Sequence, residues 1–143
     1  MTTSVIANWS RGSARRVAAL ALAAGLTAAP AAADGVPSGQ PIVLWQVLWE
    51  RVEGQGTQAI LRFIAPGVAR DGGAIDYDTA RTDMDWLCDT HGLPVAGLDY
   101  ARSDSIVITL MDRAVARGTT DPAATQYFAV YEVENGSCVA EDF

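Results

Sequence analysis

Lysine is absent from this chain, and His91 is its only histidine. A single imidazole cannot build a histidine metal cluster or the H-E-x-x-H zinc motif. No serine stands in a G-x-S-x-G setting, which removes the nucleophile elbow of the α/β-hydrolases. Cationic residues are few: ten arginines stand against seventeen acidic residues, a net charge of −7 over 143 residues. Binding nucleic acid or anionic lipid requires clustered cations, so neither is expected as a partner. No apolar run approaches the roughly 20 residues that span a bilayer. On these grounds no catalytic residue, cofactor or metal ligand is assigned.

What is present begins with an address. Arg11, Arg15 and Arg16 precede an apolar stretch from Val17 to Leu26, and Ala31-Ala32-Ala33 is followed by Asp34. A positive region, about 10 apolar residues and a small-residue site are the three parts of a secretory signal peptide. Residues 1–33 are therefore read as a signal peptide, cleaved between Ala33 and Asp34. Residues 34–143 are read as a single periplasmic or secreted domain with no membrane anchor after cleavage. Arg15-Arg16 admits a twin-arginine route, which the flanking Ala14 and Val17-Ala18 disfavour. Three of the ten arginines and none of the seventeen acids lie in the leader, so the domain carries seven positive against seventeen negative charges, a net −10. Solubility accounts for a charge of that size.

Cys88 and Cys138 are the only cysteines. In an oxidising compartment an even pair reads as one disulfide, with two buried free thiols as the alternative.

Ile42 to Val52 is rich in β-branched and aromatic residues and reads as a strand, although the spacing Leu44, Leu48, Val52 also suits a helix. Gly54-Gln55-Gly56 is turn chemistry, and Gln58 to Ile64 reads as the returning strand of a hairpin. The clearest helix follows, with Asp78 as N-cap and Gly92 as stop. Between them Ala80, Met84, Leu87, Cys88 and His91 form one face, which turns Cys88 toward the core. Ser105 to Met111 reads as a central strand covered on both sides, being apolar on both faces. Thr120-Asp121-Pro122 resembles a helix start. Tyr127 to Glu134 and Ser137 to Glu141 flank Asn135-Gly136, a two-residue hairpin signal. That turn sets Val133 against Cys138 and places Tyr131, Val133, Cys138 and Ala140 on one face, so both cysteines point inward. The fold expected is α+β: an antiparallel sheet of about four or five strands with one main helix packed on it and a single disulfide.

Candidate sites are few. Asp112, Arg113 and Arg117 follow the central strand, where an Asp–Arg pair could hold a polar or carboxylate-bearing group or form a structural ion pair tying down the loop to Asp121. Trp45 and Trp49 stand at alternating strand positions and are expected to share a face, as interaction anchors if exposed and as core if not. His91 is expected to cap or pack the helix end. Asp76, Asp78, Asp83, Asp85 and Asp89 are expected to form a solvated acidic face, since their spacing is not that of a calcium loop.

Several segments resemble a known family: Pro37 to Gln40, Arg62 to Gly73, Trp86-Leu87-Cys88, Ile108 to Arg113, Asp121 to Phe128 and Glu134 to Phe143. Together they are similar to an uncharacterised family of small exported bacterial proteins, a domain of unknown function. The resemblance implies a secreted domain with paired cysteines and carries no activity, cofactor or catalytic residue. The expected function is that of a small non-enzymatic periplasmic or secreted binding or accessory protein, with an unknown protein or small ligand as partner. The alternatives are a small periplasmic enzyme using carboxylate and Arg residues, and a purely structural envelope protein.

Overall fold

The computed structural model describes residues 35–142. The leader and its cleavage site therefore lie outside the described residues. Among the described residues no helix is long and apolar enough to cross a membrane.

Five strands form one sheet in the order β1-β2-β3-β4-β5: Val43–Val52, Gly56–Ile64, Ser105–Met111, Gln126–Glu134 and Ser137–Ala140. The β4–β5 hairpin follows from its turn. Asn135 and Gly136 both adopt left-handed backbone, φ 51° and 76°, as a two-residue primed turn requires. Glu134 then pairs with Ser137 and Val133 with Cys138, in the register expected.

β1–β2, β3–β4 and β4–β5 are antiparallel, whereas β2 and β3 run parallel. The sheet is thus mixed, and mostly antiparallel. The parallel pair is the consequence of the helix. A chain that leaves the end of β2, crosses one face of the sheet and returns to the start of β3 can only place β3 parallel to β2.

The crossover helix comprises α1 (Tyr77–Leu87), a π turn (Cys88–Gly92) and α2 (Leu93–Ala96). Asp76, not Asp78, is its N-cap, accepting 2.9 Å from the Thr79 N–H. Asp78 falls in the first turn, where a negative charge also suits the helix dipole. Gly92 does not stop the helix. It has helical φ (−68°), and a Cβ there would lie 3.0 Å from Ile106 Cγ2. Its lack of a side chain lets the helix approach β3. The Leu93 N–H donates five residues back to the Cys88 carbonyl, a wide turn placed just before Pro94, which has no N–H to continue an α-helical ladder.

The expected helical face is the core face: Ala80, Met84, Leu87 and Cys88 are fully buried against Leu61, Phe63, Ile106, Ile108, Leu110 and Tyr131. Cys88 and Cys138 form a disulfide joining this helix to β5. Asp83 departs from the expected solvated face. It is fully buried and accepts from Ser38 N (2.8 Å), Ser38 Oγ (2.6 Å) and Gln40 Nε2 (2.7 Å). The 35–42 segment is thereby strapped to the helix, which buries Val36 and Ile42. Thr120-Asp121-Pro122 starts a turn rather than a helix, with the Ala124 N–H donating to the Asp121 carbonyl.

Candidate functional site

The helix covers one face of the sheet only, so β3 is central but not enclosed on both sides. Cross-strand pairing orders the other face into rows. Gln46, Arg62, Thr109 and Phe128 form one row; Leu48, Ile60, Val107 and Val130 form the next; Glu50, Gln58, Ser105 and Glu132 follow. A groove of about 330 Å³ lies on this face. Its floor is the apolar row Ile60, Val107 and Val130, and Phe128, 59% exposed, stands beside it. Gln58, Thr109 and Gln126 contribute polar groups, and Arg62 and Arg117 contribute charge.

Arg62 interrupts an otherwise apolar strand, and only 4% of the residue is exposed. Its guanidinium donates to Gln46 Oε1 (2.9 Å), the Val115 carbonyl (2.6 Å) and Met111 Sδ (3.2 Å). The Trp45 ring lies 5.0 Å from it, within cation–π range. Burial, and after it the positive charge of Arg117, lower the pKa of Arg62.

The 112–125 connection between β3 and β4 folds back over the β1–β2 side of this face. It anchors at one end through Met111, Val115 and Ala124, which form a small second core with Ile64. Arg117 reaches β1 and donates twice to the Glu50 carboxylate, at 2.9 and 2.7 Å. These hydrogen bonds hold the Glu50 carboxyl below its ordinary range.

Asp112 and Arg113 sit at the root of this connection rather than in the groove. Arg113 donates to Asp112 Oδ2 (2.9 Å), and Asp112 Oδ1 accepts from the Thr125 N–H (2.9 Å). Burial pushes the Asp112 carboxyl up, but the Arg113 and Thr125 hydrogen bonds outweigh it and the net shift is downward. A group whose pKa is lower folded than unfolded contributes stability above its unfolded value, about 3.9, and that stability is lost as pH falls through the folded value. The urea midpoint of the natural protein should therefore fall more steeply below about pH 4 than that of Asp112→Asn. Glu50 and Asp76, also lowered, titrate in both proteins and cancel in the difference. Parallel curves would show that Asp112 does not hold the loop as a carboxylate.

Trp45 and Trp49 do not share a face. The β1–β2 register shifts between Leu44 and Gln46, and a bulge of one residue reverses side-chain parity. Trp45 lies over Arg62 on the groove side. Trp49 pairs with Ala59, a core residue of the helix side, and meets Tyr100 edge-on at 6.4 Å. His91 packs between Phe63 and Trp86, with ring centroids at 6.0 and 5.7 Å, and its Nδ1 lies 2.8 Å from Thr90 Oγ1. No hydrogen bond or ion pair joins it to Asp112 or Arg113 among the described residues. Among the same residues no group of three or more His, Cys, Asp or Glu is placed to hold a metal.

Sequence reasoning did not single out Arg62. The signal was available: Ala59-Ile60-Leu61 before it and Phe63-Ile64 after it leave one charge inside an apolar strand. No curated protein and no solved structure matches the chain. Its family model matches residues 17–143, and the chain belongs to the family of unknown function DUF6497.

Proposed function

We propose that this protein is a small, non-enzymatic binding protein that holds an amphipathic small molecule in the groove on the open face of its sheet. The observation that carries this reading is the groove on the sheet face that the helix leaves open, floored by the partly exposed Val107 and Val130 over the buried Ile60, flanked by the exposed Phe128 and bounded by the Arg117–Glu50 strap. The helix packs on the opposite face, so the main core is built without this surface. Binding sites of this kind are concave and mostly apolar, with a few polar groups that orient the ligand. An exported location forms part of the proposal, and the Cys88–Cys138 bridge is compatible with it.

A neutral fluorescent probe, N-phenyl-1-naphthylamine, tests the groove without involving charge. It should bind saturably at one site per chain. Val107→Trp, which fills the groove from its floor without touching the helix side, should weaken binding at least about tenfold, on the order of 1.4 kcal/mol, and leave the thermal midpoint within a few degrees. Unsaturable binding, or equal affinity in the variant, would remove the groove as the site.

A further inference from the structure

We infer that the groove takes a ligand with an anionic oxygen head, received by Arg62. This inference rests on the binding reading above and specifies its ligand. Arg62 is almost fully buried, and a buried charge is costly unless an opposite charge compensates it. Yet every acceptor that Arg62 engages is neutral: an amide oxygen, a backbone carbonyl and a thioether. Those three bonds leave two of its five N–H groups without a partner among the described residues. No acidic side chain among the described residues lies within ion-pair distance of it.

The omission is specific to this place. Sixteen of the seventeen acidic residues of the chain lie among the described residues, and none of these is set against the most buried described arginine. The nearest one on this face, Glu50, stands two rows away and is engaged twice by Arg117. Arg117 also lines the groove, so the charge next to Arg62 is a second cation. Two arginines and one carboxylate leave the site short of one negative charge. Beside that deficit lies the apolar row and Phe128. The complementary molecule has an anionic head at Arg62 and an apolar body along Ile60, Val107 and Val130. The Arg62 side chain is held in place by Gln46, Trp45 and Val115, so its unused N–H groups are oriented before the ligand arrives.

Displacement of N-phenyl-1-naphthylamine by chain-matched C10 compounds tests this: decanoate, decyl phosphate, decanol and decyltrimethylammonium. One or both anions should bind at least about tenfold tighter than decanol, and the cation more weakly than decanol. The ratio of decanoate to decyl phosphate identifies the head as carboxylate or phosphate. The anion advantage should shrink as salt rises from 50 to 500 mM, while decanol binding does not weaken. In Arg62→Gln the ratio of anion to decanol affinity should fall to about one. Should that variant fail to fold, the wild-type ratio and its salt dependence decide alone. Equal displacement by decanoate and decanol, or an anion preference unchanged in Arg62→Gln, would overturn the anionic head and leave the groove reading standing. Failure of the neutral probe itself to bind would overturn both.

Discussion

Replacing Cys88 and Cys138 together with alanine should lower stability by about 4 kcal/mol, or about 15 °C in thermal midpoint. The bridge spans a sequence separation of 50, and closing a loop of that length removes conformational freedom from the unfolded chain. It ties the helix, whose buried face packs on the sheet, to β5, a four-residue edge strand held otherwise by a single neighbour. Most of the effect should therefore act on the unfolded state. Local damage should appear first at β5, whose amides should exchange faster than those of β3. Urea unfolding of the double variant, and of the natural protein with and without reductant, measures it. Midpoints that coincide would mean that the unfolded chain already restricts this loop.

Asp83→Ala should produce the second large effect, about 3 kcal/mol. Its carboxylate is fully buried and takes three hydrogen bonds from Ser38 and Gln40, and bonds to a charged acceptor each contribute about 1.5–3 kcal/mol. Removing it strands those donors, and the 35–42 strap gains more by leaving the helix and rehydrating. The loss is then capped by the docking energy of the strap, chiefly the burial of Val36 and Ile42. Asp83→Asn should be milder. Gln40 Oε1 has no hydrogen-bond partner among the described residues, and rotating that amide by 180° would turn it toward the new Asn donor. Hydrogen exchange separates this from general destabilisation. The Ser38 amide should lose protection in Asp83→Ala while Leu61 and Ile108 keep theirs relative to global unfolding. Retained protection at Ser38 would show that the strap does not depend on Asp83.

Asp83 also illustrates how far local patterning reaches. It follows Ala80 by three residues and precedes Leu87 by four, so helical geometry alone puts it on the flank of the core stripe. Its partner is a loop 43 to 45 residues away, and nothing in the helix announces that a carboxylate there will be met by donors. The helix ends were illegible for a similar reason. Asp76 and Asp78 are both acceptable caps, and Gly92 reads as a stop until Ile106 is seen packed against its bare Cα. The bulge at Trp45 carries no glycine or proline to mark it, so parity failed there without warning.

Sequence by itself determined whatever depends on near neighbours along the chain. The Asn135-Gly136 turn set the register of the last hairpin, and the 3.6-residue stripe set the buried helical face. Both turned Cys88 and Cys138 inward, and their bridge followed. Only the tertiary structure decided the parallel β2–β3 pair, the face left open by the helix, the separation of Trp45 from Trp49, and the position of Arg62 without an acidic partner. Those are properties of juxtaposition. They depend on which face the crossover covers and on which side chains four different strands bring into one row, and no local propensity encodes either.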